Sequence, residues 1–277
     1  MKLDVPKPLT AVVTVSDVVD DVFRCFMSEG ADAVACGTAR EKVRAVSALL
    51  DELVTEHLGG YPSFLRSDYT SCKHGPPLKS KHPLYRIDSA DDFPAHIHTL
   101  ITECHEPVPH HGFFGAPRPS ALAVREWLDI VAWTEELPEP YRNTEVRVFV
   151  EGGEVVEVYP YYHRSGLEDY LLRKARRRST VLRDYAENYV PAITSSLEEI
   201  VRYAKAVAGA EGLREHGWSI DFALVEKNGR RAWYFIDMAL ASTSWRPRRR
   251  TAEDEWVTTE LRELLGGGGR SGTSRAG

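Results

Sequence analysis

The sequence predicts an α+β fold with antiparallel sheet in its second half. The first half has apolar residues at helical spacing, whereas the second half has two pairs of apolar strands, each pair joined by a turn that contains glycine. The chain has 277 residues, of which 43% are hydrophobic and 27% charged. This composition excludes disordered, collagen-like and coiled-coil chains, and it allows one large domain or two small ones.

Three helices are predicted in the first half. Ser16 caps the first one, which ends at a glycine, and Thr38 opens the second one, which runs to Leu58 and stops at two glycines. The third helix lies within residues 91–103. Residues 66–78 are rich in Ser, Thr, Lys, Gly and Pro, and this composition predicts a loop.

The stretch 106–120 contains four prolines and two glycines, so it cannot form a regular element. We expect a seam there between two halves of the chain. The predicted division is an N-terminal α+β subdomain over 1–115, a C-terminal subdomain over 116–265 and a flexible tail over 266–277.

The second half alternates strands and helices. The elements predicted there are an apolar run at 121–130, a hairpin over 145–159, helices within 166–178 and 192–208, a second hairpin over 218–238 and a last helix over 253–265.

Asp221 and Asp237 stand within the apolar strands of the second hairpin. Burial of a carboxylate there is costly unless it is paired or binds a cation. A two-residue turn at Asn228-Gly229 places the two carboxylates on opposite faces, whereas a three-residue loop that includes Lys227 places them on one face as diagonal neighbours. We predict the three-residue loop. Two carboxylates on one face suit Mg²⁺ that bridges to substrate phosphates; the alternative is a surface Asp beside a strand-end Asp.

Four segments resemble one protein family. Residues 65–73, LRSDYTSCK, resemble the Pro-Lys-Leu-Asn-Trp-Ser-Ser-Pro-Lys segment of the cell division cycle protein 123 family, assembly chaperones of eukaryotic initiation factor 2 with an ATP-grasp fold. Residues 121–128 resemble that family's hinge strand, whose backbone receives adenine, and residues 144–150 its Glu-Phe-Arg-Val-Phe-Val strand. The strands of Asp221 and Asp237 resemble its metal-binding pair, and the four segments follow the family's order.

The resemblance implies an ATP-grasp protein in which two α+β subdomains with antiparallel sheets enclose one nucleotide. It implies catalytic roles for Arg147 and Lys73, and Mg²⁺ ligation by Asp221 and Asp237. The nucleotide-binding residues that it implies are Arg66, Ser71, Lys73, Arg125, Glu126, Trp127, Leu128 and Arg147.

The sequence departs from the family pattern at the metal motif. The family continues Asp-Phe-Asn-Pro, whereas this chain has Asp237-Met238-Ala239-Leu240 and therefore lacks the Asn ligand. Whether one or two metal ions bind stays open, with Ser242 or Thr243 as substitutes for the missing ligand. The family's first lysine is Arg66 here, and a guanidinium also binds phosphate well.

The expected function is that of an ATP- and Mg²⁺-dependent ligase. Such an enzyme activates a carboxylate as an acyl phosphate, which an amine or another nucleophile then attacks. The alternative is an ATP-binding assembly chaperone without ligase turnover. A third hypothesis is an ATP-dependent nucleic-acid ligase that works through adenylated Lys73, although the chain lacks the KxDG motif.

Two further clusters allow other partners. Six potential metal ligands occur close together, but their spacing fits no standard zinc finger. Arginine runs at 173–178 and 246–250 suit an anionic acceptor, such as a nucleic acid or an acidic peptide; the alternative is two solvated faces. The six potential ligands are His96, His98, Cys104, His105, His110 and His111.

The chain is expected to be soluble and cytoplasmic, with no membrane partner. No stretch reaches the length of a membrane span, and the N-terminus lacks the apolar region of a signal peptide. Its four cysteines form no CxxC pair, which is typical of a reducing compartment. The net charge of −6 argues against bulk coating of nucleic acid.

Overall fold

The computed structural model describes residues 5–29, 37–68, 85–103, 119–163, 177–210, 213, 215–244, 246 and 261. The chain forms two compact units, one of Pro8–Trp127 and the other of Met1–Lys7 with Leu128–Gly277. Each unit contains a four-stranded antiparallel sheet with helices packed on one face. The predicted mixture of helices and antiparallel sheet is therefore confirmed. None of the described helices is both long and apolar enough to cross a membrane.

The N-terminal unit inserts helices between its strands. Its sheet has the order β1-β4-β2-β3, and every neighbouring pair is antiparallel. Its elements are β1 (Thr10–Thr14), α1 (Ser16–Glu29), α2 (Gly37–His57), β2 (Ser63–Ser67), β3 (Arg86–Ile87), α3 (Phe93–Glu103) and β4 (Ala121–Glu126).

The core of the N-terminal unit lies between the sheet and its helices. Leu65 of β2 and Leu122 and Val124 of β4 pack there with Leu50 of α2 and Ile97 of α3, and each is at most 1% exposed. Because side chains alternate along a strand, the residues between them project from the other face of the sheet.

The C-terminal unit consists of two hairpins and a set of helices. Its sheet has the order β6-β5-β7-β8, so the two hairpins meet through β5 and β7. Its elements are β5 (Glu145–Glu151), β6 (Glu154–Pro160), α4 (Arg178–Asp184), a π-helical turn (Tyr185–Tyr189), α5 (Val190–Thr194), α6 (Leu197–Ala208), β7 (Trp218–Lys227) and β8 (Arg230–Leu240).

Alternate residues of β5 and β7 form the core of this unit. Val146, Val148, Ile220 and Phe222 have no exposed surface and pack in one cluster with Ile200 of α6. Apolar residues at every second position predicted both hairpins. In the structure, these residues point to this apolar face and the residues between them point to the opposite face.

The turn of the second hairpin differs from the prediction. Lys227 pairs with Arg230, so the turn has two residues, Asn228 and Gly229, with φ of 54° and 70°. These positive angles at both positions are those of a type I′ turn, which matches the twist of the strands. The predicted three-residue loop is therefore wrong.

A β-bulge restores the shared face that the two-residue turn would have broken. Phe222 pairs with Phe235, whereas Asp221 pairs with Asp237, so Ile236 is one extra residue on β8. An extra residue reverses the alternation beyond it. Asp221 and Asp237 therefore lie on one face, directly opposite each other and not as diagonal neighbours.

Two other predictions differ from the structure, and several fall outside the described residues. Arg66 and Ser67 belong to β2 and not to a loop, and residues 69–78 of the predicted loop lie outside the described residues. β4 pairs with β1 and β2, and the N-terminal unit accordingly extends to Trp127, beyond residue 115. The seam, the helices within 166–178 and 253–265 and the tail lie largely or wholly outside the described residues.

Candidate functional site

One row of residues crosses the C-terminal sheet on the face opposite its helices, which we define as the polar face. Tyr159 of β6 pairs with Arg147 of β5, and Arg147 pairs with Asp221 of β7. Asp221 in turn pairs with Asp237 of β8. Directly opposite residues of antiparallel strands have Cβ atoms about 4.5–5.5 Å apart. The structure thus brings Arg147, Asp221 and Asp237 together.

Arg147 and Asp221 form a bidentate ion pair. Arg147 donates from Nε to Asp221 Oδ1 and from a terminal nitrogen to Oδ2, both at 2.8 Å. The side chain of Asp221 is 5% exposed and that of Arg147 is 18% exposed. Parallel N–H···O bonds of this kind fix the guanidinium in one plane. The orientation of Arg147 is therefore set by the protein itself.

Tyr161, just beyond β6, supports the same guanidinium from its face. The Cζ atom of Arg147 lies 4.7 Å from the centre of the Tyr161 ring. Burial opposes the charged form of Arg147, but the hydrogen bonds and charge of Asp221, together with the charge of Asp237, raise its pKa above the ordinary value. Arg147 consequently keeps a fixed positive charge.

Asp237 is less enclosed than Asp221. It is half-buried, and its Oδ1 accepts the N–H of Met238 at 2.9 Å. The bulge at Ile236 is the local feature that turns this carboxylate onto the polar face. A half-buried carboxylate beside a fixed cation can bind a ligand that approaches this face.

The donor set of this row fits Mg²⁺. This ion is commonly held by one or two carboxylates and fills its other positions with water and phosphate oxygens. Each carboxylate oxygen has two lone-pair positions, so the bonds from Arg147 leave a position on each oxygen of Asp221. Asp221 and Asp237 could therefore hold one such ion.

The described part of the chain offers this pair no third His, Cys, Asp or Glu ligand. Within the described ranges, no group of three His, Cys, Asp or Glu side chains could hold a metal ion. The residue two positions after Asp237 is Ala239, and Thr243 donates its hydroxyl to the carbonyl of Leu240 at 3.0 Å. The hydroxyl hydrogen of Thr243 is thus used within its own turn.

The sequence analysis missed two residues of the polar face. Tyr161 lies next to the last residue of β6, the strand that pairs with Arg147, and no sequence motif marks it. Glu145 lies two residues before Arg147 on the same face, is 4% exposed and accepts a hydrogen bond from Asn143 at 3.1 Å. Strand alternation counted from Arg147 would have indicated Glu145.

The N-terminal sheet carries Arg66 on the face opposite its helices, which we define as the arginine face. Arg66 pairs with Ala123, and Phe64 lies between Arg125 on one side and Arg86 on the other. Arg66 and Arg125 are therefore diagonal neighbours, about 7–8 Å apart by sheet geometry. Arg125, predicted to act at the hinge, presents its side chain to the same face as Arg66.

The predicted hinge residues form the end of β4 and the two positions after it. The N–H of Glu126 donates to the carbonyl of Leu9 at 3.0 Å, and Glu126 Oε1 accepts the N–H of Leu9 at 3.1 Å. The carbonyl of Leu128 accepts the N–H of Ile130 at 3.0 Å. The N–H of Glu126 is thus committed to Leu9, just before β1.

The ring of Trp127 is already stacked. Tyr85 lies nearly parallel to it, with ring centres 6.3 Å apart, and the guanidinium of Arg86 lies 4.8 Å from its centre. These contacts hold the hinge side chain against β3.

The remaining site residues and clusters are only partly described. Ser71 and Lys73 lie outside the described residues, as do Cys104, His105, His110 and His111. His96 is 3% exposed and donates to the carbonyl of Asp92 at 2.7 Å, and burial lowers the pKa of His98. The contacts of His96 are those of a core histidine in α3.

The second arginine run has one described member. Arg246 donates to Glu151 at 2.9 Å, lies 3.6 Å from Glu157 and stacks on Phe149 at 4.2 Å. Of the first run, only Arg177 and Arg178 are described.

Comparison with solved structures finds a distant match. The crystal structure of an L-amino acid ligase from Bacillus licheniformis matches with 12% identity and a TM-score of 0.34, over 80% of this chain and 54% of that chain. The chain thus spans about half the length of that protein. No protein-family profile and no curated protein matches the sequence.

Proposed function

We propose that the protein is an ATP- and Mg²⁺-dependent ligase of the ATP-grasp type. The observation that carries this proposal is the row of Arg147, Asp221 and Asp237 on one sheet face. A fixed cation beside two carboxylates suits the transfer of a phosphoryl group, because such catalysis consists mainly of positioning and charge stabilisation.

Each side chain has a distinct role in this proposal. Arg147 and Lys73 stabilise the negative charge that develops on the transferred phosphoryl group, and Asp221 with Asp237 holds the metal. When bound, Mg²⁺ supplies charge neutralisation and orients the phosphates. Arg66 and Ser71 bind phosphate oxygens, and Arg125, Glu126, Trp127 and Leu128 receive the adenine.

The proposed reaction has two steps. An oxygen of the substrate carboxylate attacks the γ-phosphorus of ATP, and ADP leaves with the electrons of the broken P–O bond. The nitrogen of an amine then attacks the acyl carbon, phosphate leaves with the electrons of the C–O bond, and the nitrogen loses a proton to solvent. No side-chain nucleophile is required.

The test is ADP release by the purified chain with ATP, Mg²⁺ and mixtures of carboxylic acids and amines. We expect release that depends on an added carboxylate. Asp237→Asn should abolish this turnover, whereas the control Glu226→Gln, at an exposed carboxylate that accepts from Arg231 at 2.8 Å, should keep it. An unchanged rate for Asp237→Asn would contradict the role of Asp237.

Two other outcomes would point to the alternatives. ATP binding without turnover would support the assembly chaperone. AMP as product would support the nucleic-acid ligase that works through adenylated Lys73.

A further inference from the structure

A buried tyrosine hydroxyl lies where β5 begins and β6 ends. Tyr189 has no exposed surface and packs in the core cluster on the helix side of the C-terminal sheet. Its hydroxyl donates to the carbonyl of Glu145, the first residue of β5, and accepts the N–H of Tyr162 at 3.3 Å. Burial raises the pKa of Tyr189 well above its ordinary value, so the hydroxyl keeps the proton that it donates.

The backbone that carries Tyr161 is attached at the same point. The ladder between β5 and β6 ends at Pro160. Directly beyond it, the N–H of Tyr161 donates to the carbonyl of Glu145 at 2.9 Å. The next N–H, that of Tyr162, donates to the hydroxyl of Tyr189. The two peptide units that flank the Cα atom of Tyr161 are therefore both held, one by β5 and the other by Tyr189.

The position of Tyr189 is set by the π-helical turn that it ends and by the rings around it. Pro191 follows two residues later, and in an α-helix its ring would clash with the carbonyl of Glu187. A wider turn before this proline therefore has a local cause in the sequence. The ring of Tyr189 stacks on Trp133 with centres 5.1 Å apart and lies nearly perpendicular to Tyr185, with centres 5.4 Å apart. These rings hold the hydroxyl at one point.

The contacts of Tyr189 reach Arg147 through the ring of Tyr161. Tyr189 lies on the helix side of the sheet, whereas the guanidinium of Arg147 binds Asp221 on the polar face. The Cζ atom of Arg147 lies 4.7 Å from the centre of the Tyr161 ring. A shift of the Tyr161 backbone moves this ring, and the guanidinium can then tilt about its two hydrogen bonds to Asp221.

We propose that Tyr189 is a positioning residue for Arg147, which acts by fixing the backbone of Tyr161. This coupling does not depend on which reaction Arg147 serves. That the fixed guanidinium stabilises a transferred phosphoryl group rests on the proposed function.

The test is the NMR signal of the Arg147 Nε–H group in the full chain, labelled with ¹⁵N-arginine and assigned by its loss in Arg147→Lys. This proton is donated to Asp221, so its exchange with water reports how often the guanidinium leaves its place. Tyr189→Phe keeps the stacked ring and removes both hydrogen bonds of the hydroxyl. We expect exchange to become about fivefold faster, because ordinary neutral hydrogen bonds are lost.

The matched control is Tyr203→Phe. Tyr203 is a buried tyrosine of the same core cluster, but its hydroxyl donates to Glu199 within α6 at 2.8 Å. The Arg147 signal of this variant should stay that of the parent chain. An unchanged signal in Tyr189→Phe would overturn the proposal. Equal acceleration in both variants would also overturn it, since a general loss of stability acts on both.

A double variant tests the route through Tyr161. Tyr161→Leu removes the ring, so the addition of Tyr189→Phe should not accelerate exchange of the Arg147 Nε–H any further. Full additivity of the two changes would mean that Tyr189 acts by another route, and it would overturn the proposal.

The parent chain offers a measurement that needs no variant. If Tyr189 couples to Arg147, the amide of Tyr162 and the Nε–H of Arg147 are exposed in one opening event. Their exchange rates should then rise by the same factor in low concentrations of urea. Different factors would contradict the coupling.

ATP turnover separates this proposal from that of the ligase. Faster Arg147 exchange in Tyr189→Phe, in a chain that releases no ADP, would keep the coupling and overturn the ligase. ADP release by a chain whose Arg147 signal is the same in Tyr189→Phe would do the reverse.

Discussion

The two sheets arrange their charged residues in opposite ways. On the polar face of the C-terminal sheet, a guanidinium and two carboxylates share one row, and Arg147 binds Asp221 with two hydrogen bonds. On the arginine face of the N-terminal sheet, Arg66 and Arg86 make local contacts. Arg66 donates to the carbonyl of its neighbour Ser67 at 3.1 Å, and Arg86 donates to Asp88 at 2.8 Å.

This difference separates a cation that the sheet holds in one geometry from cations whose described contacts are local. Arg147 lies on β5 between β6 and β7, and the ring of Tyr161 packs against its guanidinium. Its geometry therefore does not depend on a bound molecule. The cations of the N-terminal sheet lie in two rows: Arg125 and Arg86 stand on either side of Phe64, and Arg66 stands opposite Ala123. Phosphate oxygens are a ligand that suits such a spread of cations.

The largest expected effect is that of Asp221→Asn on stability. The substitution leaves the buried guanidinium of Arg147 without its bidentate carboxylate, and removal of one partner from a buried pair costs about 3–5 kcal/mol. We expect about 3 kcal/mol, the lower end, because Asp237 remains beside Arg147. Urea unfolding measures the change.

The control for this prediction comes from the other sheet. Asp88→Asn removes the partner of Arg86, but these side chains are 34% and 26% exposed. An ion pair so accessible to solvent contributes at most about 1 kcal/mol. Equal losses in the two variants would contradict the distinction between the sheets.

Most regular elements could be predicted because their signals are local. Consecutive residues carry the apolar stripes of α1 and α2 and the alternation of both hairpins, and the two helices begin at or next to the predicted Ser16 and Thr38. The helix predicted within 192–208 begins only at Leu197, after a turn at Ser195 and Ser196.

The site depends on a feature that local patterns do not show. Asn228-Gly229 is a strong signal for a two-residue turn, and that turn alone would have separated Asp221 from Asp237. The bulge at Ile236 arises from packing of the whole sheet, because an isolated strand has no reason to insert one residue there. The prediction that Asp221 and Asp237 share a face is thus correct, but the three-residue loop from which it was derived is wrong.

Arg66 was predicted to lie in a loop, but it lies in a strand. The residues after it favour a loop, but Leu65 packs in the core and draws its neighbours into β2. Pairing with β4, which lies far along the sequence, decided the strand. Such nonlocal pairing is what single-sequence patterns cannot show.

A smaller effect is expected at Tyr161, which tests the second support of Arg147. Tyr161→Leu removes the ring beneath the guanidinium, and a partly desolvated cation–π contact contributes about 1–2 kcal/mol. Tyr161→Phe keeps the ring and should stay within about 0.5 kcal/mol of the parent chain. Urea unfolding of both variants checks this. If the phenylalanine variant loses as much, the hydroxyl and not the ring supports the site.

The smallest effect is expected for Arg66→Gln, which tests the arginine face directly. Arg66 lies half-buried on a strand and packs outside the core, so the free energy of unfolding should change by less than about 0.5 kcal/mol. ATP affinity should fall about fivefold, near 1 kcal/mol, because solvent screens a half-exposed guanidinium. The control is Arg231→Gln, an arginine that binds Glu226 at 2.8 Å on the second hairpin. If both variants bind ATP like the parent chain, the arginine face does not bind phosphate, and the proposed nucleotide site would have to rest on the C-terminal sheet alone.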